Sequence, residues 1–196
     1  MGPVLKVRLA SLVQALVLAG VALPISAAGQ QPAAADTSAS VGPANAPYVL
    51  TVYSDFACQP CGHLAVVLQE LVASRPETVR VIFKHAPSED GHGRDAHLAA
   101  AAAALQGRFW DMHNVLFANQ DRLSAADTLG MAEQIGLDLG LFRAALTDPE
   151  VVTVVDADAA DARRLGVTAR PYILINGAPF TALPTLENLS RATGRP

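Results

Sequence analysis

The spacing of apolar positions changes twice along the chain, and each change marks a different kind of element. Residues 48–53 (Tyr-Val-Leu-Thr-Val-Tyr) are an apolar, β-favouring run, residues 59–73 read as a helix, and Val79-Arg-Val-Ile-Phe83 reads as a second strand. From about residue 94 to residue 165 the period becomes helical. Phe109, Met112, His113, Leu116 and Phe117 fall at i, i+3, i+4, i+7 and i+8, which places them on one apolar helix face. Ser124 with Asp127 three residues later is a variant capping box, and Gly136 closes that helix. Asp148-Pro149 supplies an N-cap followed by proline at the first helical position, and Gly166 ends the helix it starts. The alanine run 99–104 predicts a tightly packed helix whose small residues face its neighbours. Strand character returns at residues 172–175, and Asn176-Gly177 is a two-residue hairpin signal into residues 178–181. Pro184 and Thr185 then open a last short helix that ends at Gly194.

The N-terminal residues follow a different logic. Lys6 and Arg8 form a positive n-region, residues 9–23 are nearly all apolar, and Ser26-Ala27-Ala28 offers small residues for cleavage. Residues 1–28 are therefore expected to be a signal peptide, with an uncleaved membrane anchor as the second reading. Pro24 interrupts the apolar stretch, which is short for a span. The leader holds no cysteine, which excludes a lipoprotein anchor. Residues 29–46, rich in Ala, Pro, Ser and Gln, read as a disordered linker, and the folded domain is expected over residues 47–196. A chain of 196 residues suits one well-cored domain. The net charge of −4, without a basic patch or zinc-finger spacing, excludes nucleic acid as an expected partner.

Export changes how the cysteines are read. The chain has only two, in Cys58-Gln59-Pro60-Cys61, between the first predicted strand and the first predicted helix. A pair this close restricts the unfolded chain little, so a structural staple explains it poorly and a redox couple explains it well. At a helix N-terminus the unpaired N–H groups and the dipole favour a thiolate, which makes Cys58 the expected nucleophile and Cys61 the resolving thiol. Gln59 and Pro60 add no charge. The rival reading is a copper or zinc carrier with Cys58, Cys61 and His63 as ligands, since a structural zinc site needs four ligands and no second pair exists.

The element order, β-α-β followed by helices and then a β-hairpin and a helix, is that of an α/β fold with a thioredoxin-like core interrupted by a helical insertion subdomain over about residues 94–165. In such folds a proline placed like Pro171, ahead of a strand it cannot serve as donor, is a cis-proline beside the dithiol. Arg170 would then lie close to Cys58 and stabilise its thiolate electrostatically; the alternative reading is a surface arginine. Arg170 and Pro171 are expected to shape the substrate-binding edge.

The chain resembles the bacterial DsbA-like thiol–disulfide oxidoreductases over about residues 47–196. The resemblance is carried by Tyr53-Ser-Asp-Phe-Ala-Cys-Gln-Pro-Cys61, Val81-Ile-Phe-Lys-His-Ala-Pro87, the segment 106–117, and Gly166-Val-Thr-Ala-Arg-Pro171 leading to Ile175-Asn-Gly177. It implies a periplasmic or otherwise extracytoplasmic protein that exchanges disulfides with unfolded or partly folded exported proteins and is reset by a membrane redox partner. No organic cofactor is expected, because the Cys58–Cys61 disulfide is itself the redox group. Two positions depart from the family pattern. Val52 stands where members often carry a buried acid, and Pro60 stands where strong oxidases have histidine, which leaves the direction of electron flow open. Asp55 is read as a turn or cap residue. Trp110, Phe109 and Phe117 are read as core of the insertion. His85, His97 and His113 are read as structural or surface residues, too scattered to make a metal site.

Overall fold

The computed structural model describes Gly2 and residues 39–194. The expected signal peptide and most of the expected linker lie outside those residues. Within them the chain runs β1 (Ser40–Val41), β2 (Tyr48–Ser54), α1 (Gln59–Ser74), β3 (Val79–His85), α2 (Arg94–Ala104), α3 (Phe109–Ala118), α4 (Ala125–Gln134), α5 (Leu139–Ala145), α6 (Pro149–Arg164), β4 (Tyr172–Ile175), β5 (Ala178–Pro179) and α7 (Leu186–Ala192). The strands form one five-stranded sheet in the order β1-β3-β2-β4-β5. Strands β2 and β3 are parallel, joined through α1; the other pairs are antiparallel. The α/β architecture with a helical insertion is as expected.

The expected linker is corrected at its C-terminal end. Ser40 and Val41 pair with Ile82 and Val81, and Ala46 is buried, so the folded unit begins before residue 47. Two β-residues carry too weak a periodic signal to stand out from an Ala/Pro/Ser-rich segment; they become a strand because the β3 edge offers unpaired backbone groups. Gly42 makes the turn away from β1 with φ +100°, and a Cβ there would run into the backbone of Val79.

One sheet face feeds two cores. The register aligns Leu50 with Val81 and Val52 with Phe83, so alternate residues of β2 and β3 point the same way. Leu50, Val52, Val79, Val81 and Ile173 pack with Leu64 and Leu71 of α1 and Leu189 of α7. Further along the same face, Phe83 enters the insertion core with Phe56, the alanines of α2, Phe109, Met112 and Leu116 of α3, and Phe142. All of Ala99 to Ala104 are buried, which lets α2 lie close to its neighbours, as the run predicts. Trp110 packs against both cores and its indole N–H donates to the Ser40 carbonyl at 2.9 Å. It is therefore a tie between insertion and sheet rather than core of the insertion alone. On the opposite face, Tyr53 packs with Ala162 of α6, and its hydroxyl donates to Asp161 at 2.6 Å.

The punctuation read from the sequence holds at each end. Ser124, Asp148 and Thr185 cap α4, α6 and α7 through side-chain oxygens, and Gly136 and Gly166 take positive φ after α4 and α6; the Asp138 cap of α5 is added by the structure. Asn176 and Gly177 both have positive φ, as a tight hairpin turn requires. Asn176 also accepts the Val49 N–H at 2.8 Å and donates to the Pro47 carbonyl at 3.0 Å, which anchors the hairpin on the start of β2.

Candidate active site

The loop between β2 and α1 is folded by its own polar groups. The Asp55 carbonyl accepts the Cys58 N–H at 3.1 Å and the Asp55 carboxylate accepts the Ala57 N–H at 3.0 Å, which turns the chain out of the strand. Phe56 points inward and is fully buried, stacked on Phe83 with ring centroids 5.1 Å apart. Cys58 is left at the N-cap of α1, half-buried, with Gln59 and Pro60 exposed beyond it. Pro60 lies in the first helical turn, where its missing N–H costs nothing.

Cys58 and Cys61 form a disulfide, with Cα atoms 5.2 Å apart. The two sulfurs sit in different surroundings. Cys58 Sγ accepts the Cys61 N–H at 3.2 Å, the interaction by which a helix start favours an anionic sulfur. Cys61 is 1 % exposed, on the inner face of α1. Behind it lies a cavity of about 170 Å³, lined by Val52, Ser54, Phe83, Trp110 and His113 among others. Val52, in place of the acid common in the family, is core and contributes no proton acceptor.

The segment after α6 approaches from the other side. The Arg170–Pro171 peptide is cis, and the Arg170 carbonyl oxygen lies 3.5 Å from Cys58 Sγ. What faces the sulfur is thus the Arg170 backbone. Its guanidinium turns to the Asp55 carboxylate, with Nε 3.8 Å from Oδ2.

Asp55 does more than turn the chain. It is 2 % exposed, and its Oδ2 accepts the Ser88 N–H at 3.0 Å while Oδ1 lies 3.2 Å from His97 Nε2. Burial alone would raise this carboxyl, but hydrogen bonds from His97 and Ala57, with the charge of Arg170, outweigh it and hold the group below its ordinary range. His97 Nδ1 in turn lies 3.0 Å from His85 Nδ1. Burial pushes both imidazoles toward the neutral form, His85 most strongly. With both rings neutral the pattern has one assignment. His97 donates Nε2–H to Asp55 and accepts at Nδ1 from His85. The reading of these histidines as scattered is corrected here: His85, His97 and His113 are all buried and gathered around Phe56 and Phe83. Residues far apart in sequence on β3, α2 and α3 meet only because the insertion folds back onto the sheet.

Gln120 had no signal in the sequence. Its amide donates to the carbonyls of Phe56 at 2.7 Å and Cys58 at 2.9 Å, so the segment after α3 supports the dithiol loop. His63 is exposed on α1, and among the described residues no three His, Cys, Asp or Glu side chains are grouped to hold a metal ion.

A thioredoxin-like core that places one half-buried and one buried cysteine at a helix start, beside a cis-proline, defines a thiol–disulfide redox protein. A family model described as thioredoxin matches residues 34–193. The fold is similar to that of the thiol-disulfide exchange protein α-DsbA2 from Wolbachia pipientis (TM-score 0.71, 20% identity, 80% of this chain and 86% of that one). It is equally similar to a thioredoxin-like oxidoreductase from Silicibacter pomeroyi (TM-score 0.71, 24% identity, 80% and 90%). BdbD from Bacillus subtilis is a third match (TM-score 0.67, 17% identity, 81% and 91%). In sequence the chain is 39% identical over 155 residues to the Na(+)/H(+) antiporter NhaA 3 of Salinispora tropica, covering 77% of this chain and 23% of that protein. The antiporter NhaA 1 of Salinispora arenicola is 36% identical over 153 residues, with the same two coverages. The chain thus spans about a quarter of the length of these curated relatives. Among the described residues no helix is long and apolar enough to cross a membrane. The chain belongs to the thioredoxin family, and its fold is that of the DsbA-like structures.

Proposed function

We propose that this protein is exported and exchanges disulfides with unfolded or partly folded exported proteins through Cys58 and Cys61. The observation that carries this reading is the asymmetry of the pair: Cys58 caps α1 half-exposed beside the Arg170 carbonyl, while Cys61 is buried. A substrate thiolate attacks Cys58 Sγ of the disulfide; the S–S bond breaks and Cys61 leaves as a thiolate that takes up a proton. A second substrate thiolate then attacks the substrate sulfur of the mixed disulfide and releases Cys58 as a thiolate stabilised at the helix start. The substrate dithiol is oxidised by two electrons and the Cys58–Cys61 pair reduced by two; the reverse sequence reduces a substrate disulfide. Pro171 and the Arg170 backbone form the edge on which the substrate chain lies. The dithiol is itself the redox group and needs no organic cofactor, and a membrane redox partner resets it.

The decisive experiment equilibrates the protein in glutathione redox buffers and follows its free thiols, in wild type and in Cys58→Ser. A measurable potential in the wild type and complete loss of exchange in the variant are expected. A value of about −120 to −180 mV assigns the protein to donating or shuffling disulfides, and one near about −270 mV to reducing them. Full exchange activity in Cys58→Ser sinks the proposal.

A further inference from the structure

The Asp55 carboxylate is buried, ionised and occupied on every side. It receives the Ala57 and Ser88 N–H groups and His97 Nε2–H, and it pairs with Arg170. These donors come from four separate parts of the site: the dithiol loop, the segment after β3, helix α2, and the cis-proline loop. Gly93, at the start of α2, brings that helix so close that a Cβ there would press on Ala57 and on Asp55 Oδ1. Other charged groups face the cluster at one remove. Arg94 on α2 pairs with Asp156 of α6, and Lys84 on β3 pairs with Asp158 of the same helix. His85 and His97 are held neutral by burial. Arg170 is therefore the cation that meets the Asp55 carboxylate, and Asp55 precedes Cys58 by three residues.

We infer that Asp55 is a positioning residue of the redox site, whose buried carboxylate, oriented by His97, claims the Arg170 guanidinium and so limits how strongly the Cys58 thiolate is stabilised. This rests on the exchange chemistry proposed above. Two effects act in the same direction. The Asp55 charge is paired with Arg170, the residue whose carbonyl lies 3.5 Å from Cys58 Sγ, so it opposes ionisation of that sulfur, and a cation already paired with it gives the thiolate less of its own. Thiolate stability sets oxidising strength, because stabilising the reduced form draws electrons to it. Asp55 thus moderates the couple from outside the Cys-x-x-Cys dipeptide, at a site whose usual acid position is occupied by Val52.

The test compares Asp55→Asn with wild type. Thiolate absorbance followed across pH gives the acidity of Cys58, and glutathione equilibration gives the couple. In the variant, the acid dissociation constant of Cys58 is expected to rise about tenfold, as befits removal of one nearby charge. The glutathione equilibrium should shift toward reduced protein by a similar factor. Unchanged Cys58 acidity in a folded variant overturns the inference. Should Asp55→Asn fail to fold, Arg170→Gln decides, because it removes the cation and leaves the Asp55 charge unscreened, so the acid dissociation constant of Cys58 is expected to fall several-fold. Cys58 acidity equal to wild type in folded Arg170→Gln overturns the inference equally. A wild type that ionises normally but never equilibrates with glutathione removes the exchange reading and leaves the Asp55–Cys58 coupling to be read from the titration.

Discussion

Gln120 Nε2 donates to the Cys58 carbonyl oxygen at 2.9 Å, across 62 positions of sequence. The same carbonyl accepts the Cys61 N–H at 3.0 Å and the Gly62 N–H at 3.2 Å, so one oxygen joins the helix start to the insertion. Gln120→Ala removes this bond and the one to Phe56 O, and is expected to destabilise the protein by about 1–3 kcal/mol. Urea unfolding measures it. A variant with the wild-type midpoint would show that the segment after α3 does not support the dithiol loop.

The burial of Cys61 predicts a trapped intermediate. In Cys61→Ser the mixed disulfide on Cys58 has no resolving thiol, so adducts with substrate proteins or glutathione should accumulate. Intact-mass spectrometry after non-reducing quench reads them directly. Cys58→Ser should form none, because its remaining thiol is 1 % exposed.

Stability should fall on mild acidification. Burial lowers His113 from its ordinary 6.5 to about 4, with a hydrogen bond to Asn114 opposing that shift only in part. Between those two values the unfolded chain binds the proton and the folded protein does not. The contribution is therefore complete above about pH 6.5 and is lost progressively as pH falls toward 4, by about 3 kcal/mol. His85 and His97 act with the same sign. Denaturation midpoints at about pH 7.5 and about pH 5 are expected to differ clearly in wild type and less in His113→Gln. Equal midpoints in wild type refute the assignment.

Asp158 is expected to tie α6 to β3. Its Oδ1 accepts Lys84 Nζ at 2.7 Å and its Oδ2 accepts the buried His85 N–H at 3.1 Å. Asp158→Ala leaves a buried backbone donor unpaired and should cost about 1–3 kcal/mol, more than Lys84→Ala, whose head remains near solvent. Thermal melts of the two variants order them; the reverse order would place the energy in the ion pair instead.

The sequence by itself determined the elements and the chemical pair. Period-two and period-3.6 patterns, side-chain caps such as Ser124 and Asp148, and the Asn176-Gly177 turn are local signals, and local physics writes them into the chain. Cys58 and Cys61 lie three residues apart, so helix geometry alone brings them together. Tertiary structure decided what surrounds them. Ser40 and Val41 became a strand because β3 presents an edge, and Trp110 became a tie because β1 lies beneath it. Gln120 reaches the Cys58 carbonyl, and Asp55, His97 and His85 link in a buried row behind the dithiol loop, from four segments that no spacing rule relates. Arg170 presents its backbone to Cys58 because a buried carboxylate takes its side chain. Contacts of this kind depend on which face of which helix meets the sheet. A one-dimensional pattern reports only that such a face exists.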